Sequence, residues 1–304
     1  MLAYGTPASA ADIPAYYTHI RRGRPPTPEL LQELTERYEA IGGISPLLGI
    51  ARDQANGLLR QLEQRFPEQR FQVELGMKHA APFIEEGVSL LSAFEPDLTV
   101  ALVLAPHYSA MSVEQYLTRV RAAAESQGLT DVALVREWHL EPGYLELLAA
   151  RVRAALERLR SDGARRTRVL FTAHSLPSAI LERGDPYPEQ LAETATAVAQ
   201  LAAIDDWSVA WQSAGRTADP WIGPDVCDVI RELGATTACD SVLVCPAGFV
   251  SDHLEILYDL DIQARAVAAE AGLRFARTAL PNADPAFVAV LTGIVSTRLQ
   301  APVH

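Results

Sequence analysis

The chain has 304 residues, of which 49% are hydrophobic and 21% charged, so it is long enough for two domains and too apolar for a disordered protein. Its 38 acidic residues outnumber the 26 basic ones, and the net charge of −12 argues against a general nucleic-acid binder, which needs a basic surface. No apolar run approaches the ~20 residues that span a bilayer, and the N-terminus lacks a signal-peptide pattern, so we expect a cytoplasmic protein without stable membrane insertion.

Cysteine usage points to a reducing environment. The chain has three cysteines, Cys227, Cys239 and Cys245, and none of them belongs to a C-x-x-C pair. An odd number of scattered cysteines predicts no disulfide framework. It is also a poor match to an iron–sulfur cluster, which usually needs four thiolates, so we expect no such cluster.

Short apolar runs rich in β-branched residues alternate with longer helical patterns along the chain. The predicted strands are Phe71–Leu75, Leu98–Leu104, Asp131–Val135, Arg168–Thr172, Trp207–Trp211 and Ser241–Cys245. The predicted helices are Pro28–Ile41, Pro46–Arg65, Val113–Gln127, Tyr144–Arg160, Pro188–Ala203, Gly223–Leu233, Leu254–Ala271 and Pro285–Leu299. This alternation is typical of parallel sheets that are covered on both faces. The predicted fold class is therefore α/β, with two Rossmann-like domains and an active-site cleft between them.

The strands fall into two series, one ending near residue 138 and one beginning at Arg168. We therefore predict an N-terminal domain over residues 1–142 and a C-terminal domain, which includes the final helix, over residues 143–304. The segment from Ala3 to Pro7 reads as the turn after a first strand, although only two residues precede it. Because a strand usually has roughly 5–6 residues, we expect that the first strand is truncated and that the natural start lies upstream of Met1.

Three predicted strands run directly into polar segments, and each segment contains a histidine: His107, His174 or His253. In open α/β sheets, ligands bind beyond the carboxyl ends of the strands, so these segments are candidates for one site. Glu255 follows His253, and Glu255 and Asp259 would share one face of a helix. The alternatives for such carboxylates are a solvated acidic face or a helix cap, and for His174 a hydrogen-bonded core histidine.

Motifs for several other chemistries do not occur. The sequence contains no G-x-G-x-x-G, no P-loop, no H-E-x-x-H and no G-x-S-x-G, which disfavours nucleotide-dependent, zinc-protease and serine-hydrolase activity. The segment Tyr16–Arg24 is basic although the chain as a whole is acidic, because three of the four residues from Arg21 to Arg24 are arginines. These arginines suit either surface ion pairs or an anionic ligand, and composition alone leaves both open.

Several segments, in this order along the chain, resemble the ferrochelatase family from Tyr4 to about Leu299. They are GGISPL at 42–47, TAHSLP at 172–177, WQSAGRTADPW at 211–221, GPDV at 223–226 and GFVSDHLEILYD at 248–259. The opening AYGTP and the segment YYTHIRRGR resemble the coproporphyrin branch of that family, found in Gram-positive and related bacteria. The resemblance implies the class II chelatase fold and the insertion of Fe²⁺ into coproporphyrin III, giving Fe-coproporphyrin for haem b. It also implies that Fe²⁺ is a substrate, that there is no resident prosthetic group, and that the next haem-pathway enzyme is contacted transiently.

The same resemblance assigns the site residues. It places His174 and Glu255 on the catalytic iron-binding pair, with Asp259 as a further candidate ligand. It places Tyr4 where the branch has an axial ligand of the product iron. The positions that match porphyrin contacts are Tyr4, Arg21, Arg37, Tyr38, Ser45, Lys78, His79 and Tyr116. Family members often continue the acidic row of this helix one step further, but here that position is Gln263, which puts an outer metal site in doubt.

Three rival functions remain open at this point. The first is a ferrochelatase for protoporphyrin IX, which has two propionates where coproporphyrin has four. The second is a tetrapyrrole or haem carrier without turnover, which would not need His174 and Glu255. The third is a chelatase for another metal, such as cobalt with a sirohydrochlorin-type ring, although the GFVSDHLE and YYTHIRRGR segments fit that class less well.

Overall fold

The computed structural model of the protein describes residues 1–215, 217, 219–236 and 239–300. Arg216 and Ala218 of the WQSAGRTADPW segment and residues 301–304 of the predicted C-terminal domain lie outside the described residues.

The N-terminal half is built around four short parallel strands: β1 (Leu2–Ala3), β2 (Gly76–Met77), β3 (Thr99–Leu102) and β4 (Val132–Val135). β1 pairs with β2 and β3 pairs with β4, and a bridge between Leu2 and Val103 joins the pairs in the order β2-β1-β3-β4. The helices of this half are α1 (Ile13–Ile20), α2 (Pro28–Ala40), α3 (Leu47–Arg65), α4 (Ile84–Phe94) and α5 (Val113–Gln127).

The C-terminal half has a four-stranded parallel sheet in the order β6-β5-β7-β8. Its strands are β5 (Thr167–His174), β6 (Trp207–Gln212), β7 (Ser241–Cys245) and β8 (Arg274–Arg277). The helices of this half are α6 (Pro142–Ser161), α7 (Tyr187–Ala202), α8 (Val226–Thr236), a π-helix (Ile256–Ala264), α9 (Arg265–Glu270) and α10 (Pro285–Gln300). A two-turn 3₁₀ segment follows β5 at Ser178–Arg183, and a one-turn 3₁₀ segment precedes α1 in the N-terminal half at Ala10–Asp12.

α6 and α10 connect the two halves. The apolar stripe of α6, which includes Tyr144, Leu148 and Val152, is buried in the largest core cluster, as its helical spacing predicts. α10 packs against α6 and also against α3, where Gly57 leaves only 3.0 Å between a would-be Cβ and Val288. The last helix thus contacts the N-terminal half as well as the C-terminal half, and the domain boundary at residue 142 stays a prediction.

Two element predictions were wrong. Residues 71–75 form no strand, because β1 supplies only two residues for pairing and these bind Gly76 and Met77. The helix predicted from Gly223 begins at Val226, because the Asp225 carboxylate accepts a hydrogen bond from the backbone N–H of Cys227 at 2.8 Å and so caps the helix there. Within the described residues, no helix is both long enough and apolar enough to cross a bilayer.

Candidate active site

A cavity of about 1100 Å³ lies between the two halves, at the carboxyl ends of their strands. It is larger than the ~300–1000 Å³ of typical small-molecule pockets, so it has room for a macrocycle. We name its two sides by their residues. The His174 wall consists of His174, His253, Glu255 and the Asp259 behind them, and the Lys78 wall consists of Tyr4, Arg21, Lys78, His79 and Tyr116.

His174 is the last residue of β5, and a glycine on the neighbouring strand loop brings Glu255 to it. The backbone N–H of Gly248 donates to the Thr172 carbonyl at 3.0 Å, and a Cβ on Gly248 would lie 2.5 Å from the Cβ of Ala173. Only glycine therefore lets the loop after β7 lie flat against the end of β5. As a result, His174 Nε2 lies 3.5 Å from Glu255 Oε1.

Electrostatics couple these two side chains. Burial by itself lowers the pKa of His174, but the charge and hydrogen bond of Glu255, together with the Ser175 carbonyl, raise it to about 9. Burial raises the pKa of Glu255, but His174 and His253 outweigh it and hold that pKa well below its usual range. The metal-free pair is therefore an imidazolium beside a carboxylate at neutral pH.

The other two strand-end histidines have different surroundings. His253 Nε2 lies 3.3 Å from Glu255 Oε2, so Glu255 is bracketed by two imidazoles. His107 is buried, bonds to the Thr194 hydroxyl through Nε2 at 2.9 Å, and has its pKa lowered to about 3 by burial and by His139. All three histidines line the same cavity, as the sequence predicted, but His107 is a neutral imidazole engaged by Thr194 rather than a partner of Glu255.

Asp259 follows Glu255 by one helical turn, but its carboxylate is engaged with other side chains. The segment is a π-helix rather than an α-helix, and Asp259 is not among the residues that line the cavity. Its carboxylate instead forms an ion pair with Arg37 of α2 and accepts a hydrogen bond from the Ser213 hydroxyl. Of the two carboxylates that the sequence predicted on one helix face, Glu255 therefore lines the cavity, whereas Asp259 is engaged by Arg37 and Ser213.

Tyr4 directly follows β1 and lines the cavity, with 41% of its surface exposed. Its ring centroid lies 4.6 Å from that of His79, and its carbonyl accepts from the His79 backbone N–H at 3.0 Å. Desolvation in the cleft and the negative charge of Glu255 raise the pKa of Tyr4, so the phenol is neutral in the empty cleft. The next residue, Gly5, has a φ of +94°, and only 3.0 Å would separate its Cβ from the Ala80 backbone, so the turn after Tyr4 requires glycine.

The cationic side chains of the Lys78 wall face the same cavity. The Lys78 ammonium lies 5.0 Å from the ring centroid of the buried Tyr116, and burial together with Arg119 lowers the pKa of Lys78 to about 8. Arg21 follows the end of α1 and donates through Nε to the Arg24 carbonyl at 3.3 Å. Among the described residues, neither Lys78 nor Arg21 forms an ion pair with a carboxylate, so both charges are available to an anionic ligand.

The remaining predicted contacts line the cavity but are engaged in the fold. Tyr38 is 2% exposed, its hydroxyl lies 3.3 Å from that of Thr6, and burial raises its pKa to about 12. The Ser45 hydroxyl accepts from the Leu47 backbone N–H at the start of α3, at 3.3 Å. His79 Nδ1 lies 3.0 Å from His19 Nδ1, and burial and Lys78 lower the pKa of His79 to about 3.

No cluster of three or more His, Cys, Asp or Glu side chains in the described ranges is arranged to hold a metal ion. The cysteines are free and buried, so burial raises the pKa of Cys227 and Cys245 to about 12. A neutral imidazole and a carboxylate are nevertheless ligands that suit Fe²⁺, and a pair of them leaves most coordination positions open.

Sequence reasoning did not identify His253 as a partner of Glu255, nor Ser213 and Arg37 as partners of Asp259. The signal for His253 was present, because it lies two residues before Glu255 in a segment that was already singled out. No local signal links Arg37 to Asp259, because 222 residues separate them.

A family model described as Ferrochelatase matches residues 1–299. The chain is 46% identical over 302 residues to coproporphyrin III ferrochelatase 1 of Bacillus cereus strain ATCC 10987, covering 99% of this chain and 97% of that protein. It is 41% identical over 300 residues to coproporphyrin III ferrochelatase of Geobacillus sp. strain WCH70, with the same coverage of 99% and 97%.

Among solved structures, the chain is similar to CbiX, described as the terminal enzyme for biosynthesis of siroheme in denitrifying bacteria. That similarity has a TM-score of 0.52 at 14% identity, and it covers 97% of this chain and 96% of the other. At this identity it shows the fold alone, and it confirms the predicted class II chelatase fold. The family match and the two relatives go further, and on their evidence the chain belongs to the ferrochelatase family.

Proposed function

We propose that the protein inserts ferrous iron into coproporphyrin III and releases Fe-coproporphyrin for haem b synthesis. The observation that carries this proposal is the His174–Glu255 pair, with 3.5 Å between Nε2 and Oε1, inside a cavity of about 1100 Å³. The names of the two relatives support coproporphyrin III as the ring.

Metallation must remove two pyrrole N–H protons, strip water from Fe²⁺ and bring the nitrogen lone pairs to the metal. Glu255 is ionised, so it offers a hard oxygen and a negative charge to the partly hydrated ion. Holding iron through only two side chains suits delivery, because the ion must leave for the ring. As iron leaves, the same pair is free to accept the pyrrole protons.

His174 must lose a proton before it can bind iron. Its Nδ1–H donates to the Ser175 carbonyl, which leaves Nε2 as the atom that faces Glu255 and the cleft. Because the raised pKa keeps Nε2 protonated in the empty site, Fe²⁺ competes with a proton there. The Tyr187 hydroxyl, which donates to the His174 carbonyl at 3.0 Å, helps to fix the histidine backbone in this competition.

The Lys78 wall would hold the ring by its propionates. Lys78 and Arg21 supply charge-assisted donors, and a ring with four propionates needs more such donors than a ring with two propionates. Tyr4 would be the axial ligand of the product iron, because its side chain lines the same cavity as His174 and Glu255. Arg37, Tyr38, Ser45, His79 and Tyr116 complete the proposed ring contacts.

The remaining parts of the proposal concern the setting of the reaction. Fe²⁺ is a substrate, and we propose that the protein carries no resident prosthetic group or iron–sulfur cluster. We also propose a cytoplasmic location, which the three free thiols support, and a transient contact with the next enzyme of haem synthesis.

The deciding experiment is anaerobic Fe²⁺ insertion with coproporphyrin III and with protoporphyrin IX, followed by absorbance of the metallated ring. We expect a higher kcat/KM for coproporphyrin III. Equal values would overturn the ring assignment but not the enzyme class. Binding of both rings without metallation would identify a carrier, and preference for cobalt with a sirohydrochlorin-type ring would identify another chelatase.

A further inference from the structure

Arg37 lies between the cavity and Asp259. Arg37 lines the cavity with a quarter of its side chain exposed, whereas the Asp259 side chain is 8% exposed and does not line it. One guanidinium is therefore within reach of two kinds of acceptor, the Asp259 carboxylate behind it and any anionic group that enters the cavity in front.

The guanidinium is held in place but is not saturated with acceptors. It lies 4.6 Å from the Tyr258 ring centroid, which fixes its plane, and one of its terminal nitrogens donates to Asp259. The Arg37 Nε is buried, and it has no hydrogen-bond partner among the described residues. A buried donor without an acceptor is costly, so Arg37 gains by turning to a carboxylate that satisfies this nitrogen.

Asp259 keeps one partner if Arg37 turns away. The Ser213 hydroxyl donates to Asp259 Oδ2, on the oxygen that Arg37 does not use. Burial raises the pKa of Asp259. Arg37 and Ser213 both oppose that shift, and the effect of Arg37 is the larger of the two.

We propose that Asp259 competes with a carboxylate of the bound ring for Arg37, so that ring binding exchanges the partner of this guanidinium. This inference rests on the proposed function, because it takes the ring to be a porphyrin with propionates. Loosening the Arg37–Asp259 pair costs free energy, and this cost makes the free energy of ring binding less favourable. In the wild type Asp259 therefore weakens ring binding. In return, the bound ring frees the Asp259 carboxylate behind Glu255.

The test measures the Kd of metal-free coproporphyrin III by fluorescence titration in four forms: wild type, Asp259→Asn, Arg37→Gln and the double variant. Asp259→Asn should tighten binding about tenfold, because neighbours in one network interact by an amount of this order. Arg37→Gln should weaken binding. In the Arg37→Gln background, Asp259→Asn should change Kd less than about twofold, because there is no guanidinium to release.

Glu36→Gln is the matched control, since it removes one negative charge from α2 beside Arg37 but on the exposed side, away from the cavity. Its Kd should equal that of the wild type. If Asp259→Asn does not fold, which near-UV circular dichroism would reveal, Asp259→Ser takes its place in the same cycle.

The exchange is overturned if Asp259→Asn leaves Kd unchanged, if it tightens binding equally without Arg37, or if Glu36→Gln tightens binding as much. These readouts need no iron and no turnover. A protein that binds coproporphyrin III with the predicted pattern but fails to metallate it would therefore refute the proposed activity and leave the exchange standing. A wild type that does not bind the ring would refute both.

Discussion

The two walls of the cleft handle charge in opposite ways. On the His174 wall each charge has a partner of the opposite sign: Glu255 lies between His174 and His253, and Asp259 is paired with Arg37. On the Lys78 wall the ammonium of Lys78 lies over an aromatic ring, and no described carboxylate pairs with it. The first wall thus presents paired charges, and the second presents a cation that is available to an anionic ligand.

This difference suggests a division of labour. Paired groups that can exchange a proton for a metal suit iron handling, whereas unpaired cations suit carboxylates on the rim of a ring. If the division holds, a change in the His174 wall should remove chemistry and spare ring binding. A change in the Lys78 wall should weaken ring binding and spare chemistry at saturation.

The largest expected effect comes from His174→Ala. The substitution removes the imidazole that we propose binds iron together with Glu255, so kcat for Fe²⁺ insertion should fall roughly 10²–10⁴-fold, the range for loss of a group that acts directly in the chemistry. The Kd of metal-free coproporphyrin III should change less than about threefold, because the Lys78 wall is intact. Anaerobic turnover and fluorescence titration on the same preparation measure both quantities.

Glu255→Gln is the companion variant, since it keeps the shape of the side chain and removes its charge. It should also lose most of its turnover. Near-wild-type kcat in either variant would contradict the assignment of iron chemistry to this wall. An equal loss of ring affinity would contradict the division between the walls.

A smaller effect is expected from Lys78 and from pH. The pKa of Lys78 is lowered to about 8, so its charge is present below that pH and is lost as pH rises through it. A bound propionate stabilises the charged form, so the Kd of the ring should increase as pH rises above about 8, by up to roughly tenfold for one charge-assisted contact.

The matched control is Lys78→Arg, which stays charged and should not show this rise. Lys78→Gln should bind weakly at every pH, with kcat at saturating ring near that of the wild type. A pH dependence that persists unchanged in Lys78→Gln would assign it to another group.

The sequence predicted the strand ends better than it predicted their neighbours. β5 and β7 each contain a short apolar run, Val169–Phe171 and Val242–Cys245, so their ends, and with them His174 and the segment before Glu255, could be located from the pattern alone. Their approach depends on Gly248 against Ala173, which pairs residues 75 positions apart and has no local signature. The family resemblance supplied the pairing of His174 with Glu255, which the strand-end pattern alone only suggested.

The π-helix is a feature that the apolar pattern of the sequence does not predict. An apolar period of three to four residues predicts a helix over Leu254–Ala271, but it does not distinguish the backbone hydrogen-bond registers of α- and π-helices. The sequence also carries no local signal for the ion pair with Arg37, which engages Asp259 away from the cavity lining. The elements α1, α4 and β8 were also not predicted, because they are short and their apolar residues follow a mixed pattern.

The smallest expected effect on turnover, and the sharpest test of what the Lys78 wall offers to iron, comes from Tyr4→Phe. The substitution removes only a hydroxyl from a ring that also contacts His79, so folding should be unaffected and the rate of insertion should stay within about threefold. The visible spectrum of bound Fe-coproporphyrin should change, because the phenol oxygen is the proposed axial ligand. His19→Phe is the control, since it alters the same cluster without touching the phenol. If the product spectrum is identical in Tyr4→Phe and the wild type, the Lys78 wall binds only the carboxylates of the ring. Iron ligation by the protein would then be restricted to the His174 wall.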